Sequence, residues 1–325
     1  MPTLLVTNGD IVAGALARVR PDDTVVAWND LLHDGPVPGD LDPDALRAVR
    51  ATHLAVYAAP GRDVAGEIAA RDALIAGHAD FDAIELWFEH DLVDQLQLLQ
   101  VVDRLAAEGR REAVTMLPAP FHLGPLPQER LAKLAGGLVP LDAATFEAAT
   151  AAWAAFRAPT PEALAATALK PVYGLPYAAR ALRRALEELP RPQDGLSRTE
   201  RQILYSIDRG VERVGLLFAR VLAMEEAAFL ADLPFFRILS DLAFARPPLI
   251  TGLPEPFSPT LVADDARRKA FVGATLKLTD AGRDSLAGRA DRVALIGLDR
   301  WLGGTRLTAE AAWRYDPDEL QLIAP

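Results

Sequence analysis

Short apolar, β-branched runs recur along the first third of the chain, separated by sequence of helical period. Thr3–Thr7 (TLLVT), Thr24–Trp28 (TVVAW), Ala83–Phe88 (AIELWF) and Glu112–Leu117 (EAVTML) read as four strands. Ile11–Val19, Asp44–Tyr57, Val64–Gly77 and Leu92–Ala107 read as helices, the last strongly amphipathic. Strands alternating with helices predict a parallel sheet with right-handed crossovers, a Rossmann-like α/β domain over residues 1–125. From Leu126 to Leu189 the pattern is helical only, with Trp153 and Phe156 on one face and a break at Pro159-Thr160-Pro161. This predicts a helical connector over 126–190, followed by a proline-rich linker from Pro190 to Gly195.

The remainder has a different pattern. Ser197–Asp208, Gly215–Phe229 and Pro234–Phe244 read as helices, the first opening on a capping box of Ser197 and Glu200. Pro248–Thr251 and Ala274–Leu278 read as strands flanking a loop rich in proline and glycine, and Thr279 starts another helix. Three helices, a hairpin and a helix predict a winged-helix-like C-terminal domain over 195–325.

Composition narrows the function classes. Half of the residues are hydrophobic, enough for a sizeable core. With no cysteine, disulfides, thiolate zinc sites and a cysteine nucleophile are excluded. The opening residues, MPTLLVTNGD, lack a basic n-region and a long apolar run, so no signal peptide is expected. No stretch approaches the ~20 apolar residues of a membrane span, and a cytoplasmic location without membrane contact is the expectation. The net charge of −11 disfavours non-specific nucleic-acid binding.

In an open parallel sheet, the loops after the strands meet in one crevice. Those loops hold Asn8, Gly9 and Asp10; then Asn29, Asp30, His33 and Asp34; then Glu89, His90 and Asp91, with Asp94 and Gln95 a turn later; and finally His122. Gly9 permits a tight strand-to-helix turn, and the helix opening behind it offers N–H groups to an anion, with Asp10 either capping that helix or facing the ligand. The spacing is neither GxGxxG nor a P-loop. Glu89-His90-Asp91 is the sharpest feature, three ionisable residues directly after an apolar run. N-capping explains Asp91 but leaves Glu89 and His90 without a structural reason. The expected catalytic set is His90, Glu89, Asp91 and His33, with Asn8, Gly9, Asp10, Asp30, Gln95 and Arg300 as ligand contacts. A divalent metal is the one cofactor these residues suggest, on Asp10, His90 and Asp91; nothing marks a flavin or nicotinamide site.

Arg300-Trp301-Leu302-Gly303-Gly304 offers a guanidinium beside glycines that allow close backbone approach. Residues 195–290 carry 13 Arg and Lys against 12 Asp and Glu, and Pro234–Phe244, the helix that would read DNA, offers only Arg237 and carries Asp241. That helix is apolar enough to require cover, so nucleic acid is an unexpected partner and a protein partner a possible one.

The motifs VTNGD (Val6–Asp10), NDLLHDGP (Asn29–Pro36), LWFEHDLVDQLQLLQ (Leu86–Gln100), GLSRTERQIL (Gly195–Leu204) and DRWLGG (Asp299–Gly304) resemble an uncharacterised bacterial family known as domain of unknown function eighteen thirty-five. The resemblance spans most of the chain and implies a Rossmann-like first domain, with no activity or catalytic residue to carry over. Two functions are therefore expected as alternatives. One is a hydrolase or transferase acting on a small phosphorylated or carboxylated metabolite. The other is a ligand-sensing regulatory or scaffolding protein whose winged-helix-like part contacts a partner.

Overall fold

The computed structural model describes residues 2–325. β1 (Thr3–Thr7), α1 (Asp10–Val19) and β2 (Thr24–Ala27) open the chain, followed by α2 (Pro43–Leu54), α3 (Val64–Ala76), β3 (Ala83–Trp87), α4 (Leu92–Ala107) and β4 (Val114–Met116). The sheet order is β2-β1-β3-β4, all parallel. After α5 (Gln128–Leu134), the two-residue strand β5 (Val139–Pro140) adds antiparallel to the β4 edge. The helical reading of 126–189 missed β5; its proline is tolerated because the strand lies at an edge.

Both faces of the sheet are covered. Leu5 and Trp87 pack towards α1 and α5, while Leu4, Val6, Ile84 and Leu86 join the larger core on the opposite face. That core continues into α6 (Ala143–Phe156), α7 (Glu162–Ala168) and α8 (Ala178–Leu186). The helix predicted to be amphipathic is enclosed instead: every residue from Leu92 to Leu99 is buried, because α6 and α8 cover its outer side. Asp94, Gln95 and Gln97 are therefore interior polar groups that need partners.

A second core is built by α9 (Arg198–Asp208), α10 (Val214–Leu222) and α11 (Asp232–Phe244), with β6 (Ile250–Thr251), α12 (Pro259–Ala263), α13 (Asp265–Gly273), β7 (Lys277–Leu278) and α14 (Asp280–Leu286). The capping box at Ser197 and Glu200 is present. β6 pairs antiparallel with β7, and the loop expected between them contains α12 and α13. Phe235, Phe236, Leu239 and Leu242 of α11 are buried in this core, so the apolar helix has cover within the chain.

The boundaries expected on either side of this unit change. Pro190–Gly195 is not a free linker: Asp194 is buried, Arg292 N–H donates to its carbonyl at 2.7 Å, and Tyr315 N–H donates to Pro190 O at 3.0 Å. Nor is 195–325 one unit. α15 (Arg292–Ile296), the hairpin β8 (Asp299–Leu302)–β9 (Thr305–Thr308) and the pair β10 (Arg314–Asp316)–β11 (Gln321–Ile323) follow. Val293, Leu298, Leu302, Leu307 and Tyr315 join the first core. The hairpin docks through its glycines. Gly303 O accepts from Val37 N–H at 2.8 Å, Gly304 N–H donates to Phe156 O at 3.1 Å, and a Cβ at Gly304 would strike the Arg157 carbonyl. Among the described residues no helix is long and apolar enough to cross a membrane.

The loop after β2 is fixed by one cation. Arg50, 1% exposed, gives Nε and Nη2 to Asp30 Oδ1 at 3.1 and 2.7 Å and also donates to the carbonyls of Leu31, Asp34 and Pro36. Asp30 is thus an interior anchor, with its Oδ2 3.9 Å from Arg71 Nη1. Arg50→Met should cost about 3–5 kcal/mol by leaving the buried Asp30 carboxylate with only the longer contact to Arg71, at 3.9 Å. Adding Asp30→Asn should recover part of that loss in urea denaturation. Gly304→Ala should cost about 1–3 kcal/mol in the same assay.

Candidate functional site

The strand order reverses at β1, where the chain goes first to β2 on one side and then to β3 on the other. The loops leaving β1 and β3 therefore diverge and open a crevice between them. Asn8-Gly9 leaves β1 and Phe88–Asp91 leaves β3.

A buried carboxylate joins these two strand ends. Asp94, 1% exposed, accepts Glu89 N–H on Oδ1 at 2.7 Å and the Asn8 amide on Oδ2 at 2.6 Å. Gln97 donates to Asn8 Oδ1 at 3.1 Å and to the Asp30 carbonyl at 2.7 Å, while Gln95 donates to the Glu89 carbonyl at 2.6 Å. Gln95 and Asp94 thus hold the Glu89 backbone from both sides, and Gln95 is a positioning group. Asp91 caps α4, its Oδ1 accepting from Val93 and Asp94 N–H at 2.9 and 3.2 Å.

The held backbone presents Glu89 to the loop after β4. Leu123 N–H donates to Glu89 Oε1 at 2.6 Å, and His122 Nδ1 contacts Glu89 Oε2. His122 Nδ1 also lies 3.8 Å from Asp91 Oδ2. One ligand atom each from Glu89, Asp91 and His122 falls within 4.8 Å of the others. The two carboxylates are nearly closed off, at 12% and 4% side-chain exposure, whereas His122 keeps 40% and is the member a solute can reach.

Burial among like charges sets the protonation. Burial first, and then the neighbouring Glu89, push Asp91 up from 3.8 to about 7. Burial, with Asp91 and Glu89 beside it, holds Asp94 well above the carboxylate range. The hydrogen bond that His122 makes to the Glu89 carboxylate raises His122. His90 moves the other way, lowered by burial and then by His122 and Arg180. Its ring packs 5.4 Å from the His122 ring and 6.0 Å from that of Tyr177, and its buried Nδ1 has no partner. Beside it lies a space of about 180 Å³ lined by Arg180, Arg184, Arg198 and Glu225.

The predicted residues are thus sorted. Asn8, Glu89, His90, Asp91 and Gln95 come together. Asp10 does not join them: it is the first residue of α1 and accepts from Asn29 at 2.8 Å on the surface. The expected metal set of Asp10, His90 and Asp91 therefore becomes Glu89, Asp91 and His122. Gly9 is the N-cap of α1, at φ 75° with open space around it, and no side chain caps the helix. His33 and Arg300 line a different cavity, described below. His122 was placed in the right loop by its position after β4, but its pairing with Glu89, 33 residues away, leaves no local signal.

Two comparisons with known proteins were made: no family model matches the chain, and no curated protein matches it.

The raised Asp91 fixes the sign of a pH effect. Its proton is held up to about pH 7 in the fold and lost near 3.8 in the unfolded chain. Its contribution to stability is complete below pH ~4 and is lost as pH rises to ~7. The raised His122 adds in the same direction, losing its contribution as pH passes its folded value. Asp91→Asn keeps a competent cap. Metal-free wild type should therefore lose thermal stability relative to Asp91→Asn between about pH 4 and about pH 8; parallel melting curves would show that Asp91 titrates normally.

Proposed function

We propose that the crevice binds a divalent metal ion on Glu89, Asp91 and His122. We further propose that it uses this site for hydrolysis or group transfer on a small phosphorylated or carboxylated metabolite. The reading is carried by the convergence of these three side chains from the loops after the neighbouring parallel strands β3 and β4. Two carboxylates and an imidazole form a mixed oxygen and nitrogen set suited to zinc, manganese or iron. Three protein ligands leave positions for water and substrate. When bound, the ion would polarise the substrate oxygen and acidify a water. His90, kept neutral by its surroundings, is placed to accept a proton beside the site. The uncapped α1 N-terminus behind Gly9 and the Arg180 guanidinium are the groups to receive the substrate's negative charge.

The finer architecture belongs to the same reading. The order α9, α10, α11, β6, β7 is that of a winged helix, and the antiparallel bridge between Arg213 and Thr275 supplies the short third strand of such a wing. Membership of the domain of unknown function eighteen thirty-five family, a bacterial source and a cytoplasmic location complete the proposal. The family's five motifs fall on the crevice and on the walls of the cavity between the cores.

Isothermal titration of the metal-free protein with Mn²⁺ and with Zn²⁺ tests the site. One ion should bind per chain, and Glu89→Gln and His122→Ala should each weaken it by about tenfold or more with circular dichroism unchanged. No binding, or binding indifferent to both substitutions, would sink the metal site. Metal-dependent turnover of p-nitrophenyl phosphate or acetate tests the chemistry, and turnover of neither would retract the catalytic half.

A further inference from the structure

We propose that the cavity between the two cores is a second ligand site, built for a nucleotide: a flat, hydrogen-bonding base with a phosphate arm. It encloses about 830 Å³, within the size range of small-molecule sites. Its walls come from the 33–36 turn and the end of α2 on one side, from α11 on the other, and from the β8–β9 hairpin. It shares no lining residue with the metal crevice, so the two proposals stand apart.

Three groups on these walls have bonding capacity that the protein leaves unused. Both ring nitrogens of His33 are buried without a partner, the ring standing edge-on to Phe229 at 5.3 Å. A neutral imidazole offers one donor and one acceptor, and buried polar groups are nearly always partnered in a folded protein. Asp241 lines the cavity at an exposed position next to Arg237, and its side chain makes no hydrogen bond among the described residues. Arg237 directs Nη1 to the Tyr57 hydroxyl at 3.3 Å and to Asp34 Oδ2 at 3.8 Å, and its Nε and Nη2 have no partner among the described residues. Three further carboxylates on the walls are already matched: Asp34 by His53 and Tyr57, Glu188 by Arg184 and Thr199, and Glu200 by Arg292.

Those unused groups select the ligand. A nucleobase supplies both a donor and an acceptor for His33 and a donor for Asp241. Trp301 and Phe244, the latter 46% exposed, offer flat apolar surface for its faces. A phosphate suits the free edge of the Arg237 guanidinium. Inorganic phosphate alone would leave His33 and the rings unmet, and a nucleoside alone would leave Arg237 unmet. Because the walls belong to both cores, an occupant would hold them together and raise the melting temperature.

Calorimetry and thermal melting of the full chain with adenosine, guanosine, cytidine and uridine 5′-monophosphates, their nucleosides and inorganic phosphate test this. At least one nucleotide should bind with a Kd below about 1 mM. Its nucleoside and inorganic phosphate should each bind about tenfold more weakly. Arg237→Gln should reduce nucleotide affinity to that of the nucleoside. Phe244→Ala, at an exposed position outside the core, should weaken both. Glu89→Gln, which disables the metal crevice, should leave nucleotide affinity unchanged. The proposal is overturned if no nucleotide binds, if phosphate binds as tightly as the nucleotide, or if Glu89→Gln abolishes binding while Arg237→Gln and Phe244→Ala do not.

Discussion

The carboxylate of Asp94 is the constraint on which the site depends. It is enclosed beneath the sheet's carboxyl end, yet it accepts from β1 through the Asn8 side chain and from β3 through the Glu89 backbone. A helix that packed there with an apolar residue at this position would leave both donors unsatisfied in the interior. Asp94 therefore sets the spacing of the two strand ends, and with it the direction in which Glu89 leaves the backbone. The arrangement is costly, because Glu89 and Asp91 bring further negative charge to the same enclosed place. Raised protonation of Asp91 and Asp94 is one relief, and the bond from His122 to Glu89, which favours the protonated imidazole, is another.

The same chemistry decides what could be read from the sequence. β1, β2 and β3 were legible nearly to the residue because β-branched runs between turn residues have few alternatives. The surroundings of α4 were not. Asp94, Gln95 and Gln97 look like a solvent face in the sequence, yet each is an interior group matched to a strand end or to the loop after β2. Local periodicity cannot distinguish a polar face in water from one satisfied by buried partners. Glu89 and His90 were legible as residues that capping does not explain, and Asp91 as the cap. The contact of His122 with Glu89 was not, since it arises only through the packing of the β4 loop. The linker was misread for a related reason: proline and glycine mark irregular backbone, but Asp194 and Pro190 use theirs to bind the returning tail.

That returning tail alters the meaning of the domain boundary. Leu298, Leu302 and Leu307 sit in the first core although the second core precedes them in the chain. The second core is therefore an insertion, entered near residue 196 and left near residue 291, with both ends fastened to the first body. Arg292 crosses this seam, giving Nε to Glu200 at 3.0 Å while its backbone N–H bonds Asp194. Two chain crossings and a shared ion pair restrict the relative motion of the cores more than one flexible linker would.

The seam also places the two cavities on opposite sides of one wall. Arg184 lines the space beside His90, bonds Glu225 and Glu188, and lies 4.9 Å from the Phe229 ring. Phe229 also meets His33, ring centroid to ring centroid at 5.3 Å, and Glu188 lines the larger cavity. A buried guanidinium with several carboxylate partners cannot shift towards one cavity without withdrawing from contacts that border the other. Charge or ligand on either side therefore acts on a common set of bonds. The interior ion pairs at α8 and α9 make the boundary between the cavities stiff at the point where an apolar interface would have been free to slide.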